Sequence, residues 1–238
     1  MAYKERKYAF RYAVEVEQYH SARHRPPGQE REPRKKPTPE QVRRNNQREK
    51  EKKCRHRLRG HFDVDDYFVT LTYRREGRPE GMDQAKDHFR KFARKLQREY
   101  RKRGQELKWI RNIEVGSRGA WHVHVAVNRI PDGDILIRKA WKHGSVQLQL
   151  MDDRNEFREL ASYLTKTPDT DPRLADTNYS TSRNLPLKEP EEKIVHWKTW
   201  RKIRIPEGWY LDKGSFAEGI NPVTGYPFRK YTILRKRE

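Results

Sequence analysis

Three consecutive segments decide the fold class of this chain: Trp109-Ile-Arg-Asn-Ile-Glu-Val115, Gly116-Ser-Arg-Gly119 and Trp121-His-Val-His-Val-Ala-Val127. The first and the third are largely apolar and have the composition of β-strands, and the short segment between them has glycine at both ends. Two strands joined by such a turn predict a β-hairpin, so at least part of the sheet is antiparallel.

Strands and helices alternate on both sides of this hairpin. Before it, Asp66–Tyr73 has the β-branched, aromatic composition of an interior strand, and Met82–Arg103 has apolar residues at helical spacing. After it come a short helix around Asp134–His143, a strand at Ser145–Leu150 and a helix at Asn155–Lys166. This order predicts an α+β fold, with a central antiparallel sheet and helices mainly on one face, rather than a doubly wound parallel sheet.

The composition is strongly basic, with 55 Lys and Arg against 34 Asp and Glu in 238 residues and a net charge of +21. A field of this sign attracts polyanions, so nucleic acid is the expected partner. No run approaches the roughly 18 apolar residues of a membrane span, and nothing resembles a secretory signal. The single cysteine excludes an intramolecular disulfide framework, and we therefore expect a cytoplasmic protein without a membrane partner.

The basic surplus is concentrated at the N-terminus, where residues 1–60 hold 19 basic and 8 acidic side chains. Tyr8–Glu17 alternates imperfectly, which indicates a strand, and a proline-punctuated linker follows it. Thr38 and Gln41 have the spacing of a helix N-cap, and they predict a basic helix over Pro39–Arg59. Because this helix has almost no apolar face, we expect it to be solvated or to lie on a nucleic-acid backbone.

We divide the chain into three parts on these patterns. Residues 1–60 form a basic N-terminal extension with a proline-rich linker and a helix. Residues 61–185 form the domain that contains the hairpin. Residues 186–238 form a C-terminal extension that packs on this domain or flanks it, because the pattern of elements weakens after Pro168.

Three side chains of the hairpin can converge on one metal ion. His122 and His124 project to the same face because strand side chains alternate. Glu114 is an acid in an otherwise apolar strand, and the hairpin can bring it opposite the histidines. Burying a carboxylate alone is costly, whereas two imidazoles and one carboxylate with open positions suit a catalytic divalent ion. The alternative is a pair of histidines on a solvated sheet face.

Tyr163 and Lys166 are three residues apart on a predicted helix and would share a face. A phenol is a poor nucleophile at its ordinary pKa near 10, but a neighbouring cation or metal makes covalent catalysis feasible. Without other evidence, this pair is more typical of a tyrosine at the edge of the core and a surface lysine.

In this order, the motifs resemble those of rolling-circle replication initiators of the HUH endonuclease superfamily, which is named for two histidines separated by a hydrophobic residue. Phe68–Tyr73 resembles the first motif of that family, and Glu114 with Trp121–Val125 resembles the second, metal-binding one. Ser162–Lys166 resembles the third motif, which carries the catalytic tyrosine. Ser180–Leu185 is similar to a segment that follows the tyrosine helix in phage, plasmid and mobile-element initiators of Gram-positive bacteria.

The resemblance implies a metal-dependent endonuclease and nucleotidyltransferase that nicks and rejoins single-stranded origin DNA or an origin hairpin. Glu114, His122 and His124 would hold Mg²⁺ or Mn²⁺. Tyr163 would form a 5′-phosphotyrosine intermediate, Lys166 would stabilise negative charge, and a host polymerase would extend the free 3′-hydroxyl. In initiators and single-tyrosine transposases the tyrosine follows the histidines, as it does here, whereas in conjugative relaxases it precedes them.

The resemblance also bears on the remaining partners. The position one helical turn after Tyr163 is Thr167, so a second tyrosine is missing, and strand closure would need a second protomer or another nucleophile. Arg118 and Arg183 are candidate phosphate contacts, and Trp121 either stacks on a base or packs in the hairpin core. The sequence contains no nucleoside-triphosphate phosphate loop, so we expect a host helicase to act beside the polymerase.

Two alternatives to the initiator stay open at this stage. One is a basic protein that binds nucleic acid without chemistry, which the net charge alone would explain. The other is a single-tyrosine transposase of the same superfamily, which would cut both ends of one element instead of nicking one origin.

Overall fold

The computed structural model describes residues 2–21, 23–24, 36–116, 119–151, 157–166, 179–197, 199–221 and 223–236. The chain divides into two compact units: Lys50–Pro186, the central unit, and Met1–Glu49 with Leu187–Glu238, the terminal unit. The predicted borders at residues 60 and 185 stay a prediction about domains. Among the described residues, no helix combines the length and the apolar character needed to cross a membrane.

The described part of the chain contains ten strands, four α-helices and a 3₁₀ helix at Arg75–Gly77. In chain order they are β1 (Tyr3–Ala9), β2 (Ala13–Tyr19), α1 (Pro39–His61), β3 (Tyr67–Thr72), α2 (Met82–Lys102), β4 (Trp109–Val115), β5 (Trp121–Val127), α3 (Gly133–Ala140), β6 (Val146–Leu150), α4 (Arg158–Thr165), β7 (Tyr179–Thr181), β8 (Glu191–Val195), β9 (Trp209–Ile220) and β10 (Pro227–Arg235).

The sheet of the central unit has the strand order β6-β3-β5-β4-β7, and every neighbouring pair is antiparallel. The α+β class and the predicted order of elements are confirmed. The hairpin β4–β5 has the predicted bounds, and Gly119 of its turn has a φ of 68°, a conformation that side chains with a Cβ rarely adopt. The pairing register sets Glu114 opposite His122 and Asn112 opposite His124.

One face of this sheet carries the larger core. Val123, Val125 and Val127 point away from the histidines and pack with Phe89 and Phe92 of α2, and residues of α3 complete the cluster. These side chains are almost fully buried, and each contributes roughly 1.5–3 kcal/mol through removal from water. The alternation along β5 therefore fixes which face is left for the polar residues.

Helix α1 begins as predicted but packs differently. Thr38 and Gln41 form the expected reciprocal cap, because the Gln41 amide donates to Thr38 Oγ1 at 3.2 Å and the Thr38 amide donates to Gln41 Oε1 at 2.9 Å. The expectation of a fully solvated helix is wrong for its second half, where Cys54 and Leu58 are buried in a second core that includes residues of α4. Two residues one turn apart are sufficient to anchor a helix end. Helices therefore contact both faces of the sheet.

The terminal unit contains a second antiparallel sheet, with the order β8-β1-β2-β10-β9. The single strand predicted at Tyr8–Glu17 is wrong, because the chain turns after Ala9 and the Phe10 amide donates to the Ala13 carbonyl at 2.8 Å. The pattern after Pro168 gave no sign of three further strands. Most side chains of β9 are exposed or half-buried, so its apolar alternation is weak, and the pairing of β2 with β10 joins distant parts of the sequence.

The thiol of Cys54 is expected to be inert in the folded protein. The residue is fully buried, and burial raises the pKa of the thiol to about 12. Because the thiolate is the reactive form, we expect alkylation by iodoacetamide at pH 8 to be at least about 10³-fold slower in the native protein than in the urea-unfolded protein. Mass spectrometry over time measures both rates, and equal rates would contradict a buried thiol.

Candidate active site

The hairpin brings three metal-ligand side chains to one place. Glu114 lies opposite His122 in the strand register, and His124 is two residues further along the same face. One ligand atom from each of the three residues lies within 4.8 Å of the other two. The structure therefore has the convergence that the sequence predicts. Because His124 is buried and His122 and Glu114 are half-buried, the three residues line a cleft rather than a solvated surface.

His124 is held by partners on both ring nitrogens. Nε2 lies 2.7 Å from Glu114 Oε1, and Nδ1 lies 3.0 Å from Oγ1 of Thr70, its pairing partner on β3. The ring of Phe68 stacks on it, with centroids 6.0 Å apart and an angle of 8° between the planes. The imidazole therefore cannot rotate freely. Because the Thr70 hydroxyl can donate or accept, it can serve either tautomer of the ring.

Tyr163 reaches the same cluster from α4. Its Oη lies 2.8 Å from His124 Nε2 and donates to Glu114 Oε1 at 3.3 Å. The neighbours Ala161 and Leu164 are buried in the core, whereas Tyr163 is 38% exposed. The phenol is thus anchored by its helix and still open to a substrate.

The position of Tyr163 depends on a buried amide that sequence reasoning missed. Asn112 Nδ2 donates to the carbonyls of Tyr163 at 3.2 Å and Lys166 at 3.3 Å, which lie in the last turn and at the C-cap of α4, where carbonyls lack partners within the helix. The available signal was a polar residue in an apolar strand, two positions before Glu114 and hence on its face. Thr70 had the same kind of signal on β3.

Lys166 differs from the expectation in one respect. Helix α4 ends at Thr165, and Lys166 is the C-cap with extended geometry (ψ 124°), so the predicted helical face shared with Tyr163 does not exist. The predicted start at Asn155 lies outside the described residues; the described helix begins at Arg158, after Phe157 with a φ of 46°. Whether Lys166 acts in catalysis stays a prediction.

Burial and mutual contacts shift the protonation of the cluster. The hydrogen bond with His124 is the largest influence on Glu114 and lowers the pKa of its carboxyl, although burial opposes this. Burial, followed by the charge of His124, lowers the pKa of His122. Burial, followed by the negative charge of Glu114, raises the pKa of Tyr163. At neutral pH the carboxylate is therefore ionised, His122 is neutral and the phenol keeps its proton.

These three residues fit a divalent cation. A metal ligand must present a lone pair, which an ionised Glu114 and a neutral His122 both do. The donor set of two nitrogens and one oxygen occurs in catalytic sites of several divalent metals, and three protein ligands leave coordination positions for substrate oxygens. The donor set does not discriminate between Mg²⁺ and Mn²⁺.

The other predicted site residues have separate locations. Trp121 is only 2% exposed and packs in the larger core, so the prediction that it stacks on a base is wrong and the alternative packing role is correct. Arg183 is exposed in the turn after β7. Arg118 lies outside the described residues.

The fold and the cluster together define an α+β protein with a two-histidine, one-carboxylate cluster beside a tyrosine. Residues 66–168 match a family of replication-associated proteins, the ORF2 family, over somewhat less than half of the chain. The matched segment includes the cluster and Tyr163, and the match supports a replication initiator family and a role in DNA replication. Neither curated proteins nor solved structures give a significant match.

Proposed function

We propose that this protein nicks and rejoins single-stranded origin DNA and so starts rolling-circle replication of a phage, plasmid or integrative element. The observation that carries the proposal is the position of Tyr163 Oη, 2.8 Å from His124 Nε2 and 3.3 Å from Glu114 Oε1. A candidate nucleophile thus lies against a candidate metal cluster, inside the segment similar to replication-associated proteins. A protein that only binds DNA would not need this arrangement.

Glu114, His122 and His124 are the residues that would hold Mg²⁺ or Mn²⁺. The bound ion would neutralise charge on the non-bridging oxygens of the scissile phosphate. Thr70 fixes the orientation of the His124 ring through Nδ1, and Phe68 restricts its rotation. These contacts preorganise the site before any substrate binds, which lowers the cost of reaching the reactive geometry.

The bond changes follow from the position of the phenol. Tyr163 Oη attacks the phosphorus, the bond between phosphorus and the 3′-oxygen breaks, and the DNA strand keeps a 5′-phosphotyrosine link and releases a 3′-hydroxyl. The phenol proton leaves towards Glu114, whose ionised carboxylate accepts its hydrogen bond. Attack by a 3′-hydroxyl on the phosphotyrosine reverses the reaction and rejoins the strand without ATP.

Other parts of the chain serve the DNA rather than the bond. Lys166 supplies positive charge one residue after α4, and Asn112 holds both its carbonyl and that of Tyr163 in place. Arg183 and Arg118 contact phosphates, which positions the strand without specifying its sequence. A host polymerase extends the 3′-hydroxyl, and a host helicase opens the duplex ahead of it.

The test is a search for the covalent adduct. The full chain is incubated with Mn²⁺ and a labelled pool of single-stranded oligonucleotides of randomised sequence, and the protein is then denatured and separated. We expect DNA that stays linked to Tyr163, and sequencing of that DNA gives the nick site. A pool that binds but never forms an adduct would contradict the proposal and favour the simple binding protein. Two unrelated joined sequences, one for each end of an element, would favour the transposase.

A second prediction concerns Thr70. In Thr70→Val the shape is retained but His124 Nδ1 loses its hydroxyl partner, so the ring is less well oriented for a metal. Loss of such an orienting partner typically lowers metal affinity by about 10- to 100-fold. We expect this loss in a Mn²⁺ titration followed by electron paramagnetic resonance. Thr72→Val, which alters the neighbouring β3 position bonded to Ser145, is the control, and an equal loss in both would contradict the role of Thr70.

A further inference from the structure

A groove of about 740 Å³ lies on the side of β4 opposite the candidate active site. Its walls are one flank of α2 and the segment from β7 to Asn184. Successive residues of β4 point to opposite sides, so Asn112 faces the site while the Arg111 guanidinium faces α2, 5.3 Å from the ring centre of Phe89. The groove and the site therefore share a strand but no side chains.

Cations dominate the lining of this groove. Lys86, Arg90, Arg94 and Arg101 follow one flank of α2 at helical spacing, Arg183 lies on the opposite wall and Arg111 lies at the base. The one carboxylate in the lining, Glu106, accepts a hydrogen bond from Asn184.

Three of these cations are available for a ligand. Lys86 and Arg90 pair with Asp83 and Asp87 on the same helix. Arg94, Arg101 and Arg183 make no ion pair with any residue in the described part of the chain. Unpaired positive charges along a concave surface concentrate the potential for an anion.

The length of the row selects among anionic ligands. From Lys86 to Arg101 an α-helix rises about 22 Å, at 1.5 Å per residue. That length corresponds to about six nucleotides at the axial spacing of 3.4 Å per phosphate in one DNA strand. A mononucleotide or a free phosphate would engage only one end of it. The hydroxyls of Ser180 and Thr181 on the facing wall are a further group that commonly contacts phosphate and sugar oxygens.

We propose that this groove holds the sugar-phosphate backbone of a DNA strand, several nucleotides of the same molecule whose scissile phosphate reaches Tyr163. The inference rests on the proposed function for the identity of the nucleic acid. It adds a second contact surface that lies outside the metal cluster and acts on DNA of any sequence. The protein then grips its substrate on two sides of one sheet.

The test compares two pairs of substitutions on α2. Arg94→Gln with Arg101→Gln removes two groove cations, and Lys95→Gln with Arg98→Gln removes two exposed cations outside the groove, so both variants lose the same charge from one helix. The probe is a fluorescent DNA hairpin with a single-stranded tail of arbitrary sequence. Binding is measured by anisotropy at several salt concentrations, and circular dichroism checks that both variants are folded.

We expect the slope of log affinity against log salt to fall by about two in the groove variant and to stay near the wild-type value in the control. Arg94→Lys with Arg101→Lys should restore most of the slope, since a lysine still neutralises a phosphate. Equal slopes in the groove and control variants would overturn the proposal, as would full competition by millimolar dAMP. A wild-type protein that forms no covalent adduct would instead contradict the proposed function, and the binding slopes do not depend on that result.

Discussion

Replacing Tyr163 with phenylalanine is expected to abolish the covalent DNA adduct and to lower nicking by more than about 10⁴-fold, a loss typical of removing a nucleophile. The substitution removes only Oη, so the edge contact between this ring and Phe68 remains. The hydroxyl bonds to His124 and Glu114 are lost at a partly exposed position, which should cost no more than about 1 kcal/mol of unfolding free energy. Adduct yield and thermal unfolding are measured on the same samples.

Tyr210→Phe is the matched control for this variant. Tyr210 is a tyrosine of similar exposure in the terminal unit, far from the cluster in sequence. It should form the adduct at the wild-type rate. If Tyr163→Phe still gives the adduct while Tyr210→Phe also does, another side chain is the nucleophile and the assignment of Tyr163 is wrong.

Glu114→Gln is expected to produce the second large effect, a fall of at least about 100-fold in Mn²⁺ affinity with a loss of nicking of similar size or greater. The amide has nearly the shape of the carboxylate but no negative charge, and hard divalent cations depend on charged oxygen ligands. The ionised form of Glu114 is the favoured one in the folded protein, because its hydrogen bond with His124 lowers the pKa of the carboxyl. Mn²⁺ binding by electron paramagnetic resonance gives the affinity without any need for turnover.

Glu76→Gln serves as the control, because Glu76 is an exposed carboxylate of the same unit that lies in the 3₁₀ helix. It should bind Mn²⁺ as the wild type does. Unchanged binding in Glu114→Gln would show that the cluster is not the metal site, whereas reduced binding with unchanged nicking would show that the metal is not needed for the reaction.

The sequence was informative where local patterns and chemistry coincide. The apolar runs around Gly116 and Gly119 predicted the hairpin to the residue, and strand alternation then predicted that His122 and His124 share a face with Glu114. These inferences need only neighbouring residues. The approach of Tyr163 to the cluster could not come from spacing, since it depends on how α4 packs, and only the order of the motifs suggested it.

Long-range packing explains what the sequence did not reveal. Thr70 and Asn112 acquire their roles from residues 54 and 51 positions away in the chain, and a single polar residue in a strand gives no hint of such a partner. Cys54 and Leu58 are too few to produce an amphipathic signal in a helix otherwise full of charges. In the terminal unit, the strands alternate charged side chains with apolar ones, and ion pairs such as Lys4 with Glu192 at 2.6 Å become visible only after the sheet is assembled.

The assembly of the terminal sheet imposes an order on synthesis of the chain. Strands β1 and β2 leave the ribosome before the central unit, but the strands that flank them, β8 and β10, are translated after the whole of it. A two-stranded hairpin is at best marginally stable in water. The β1–β2 hairpin therefore waits, exposed, until β8 and β10 emerge, while the segment that contains Tyr163 is already complete and can fold during translation.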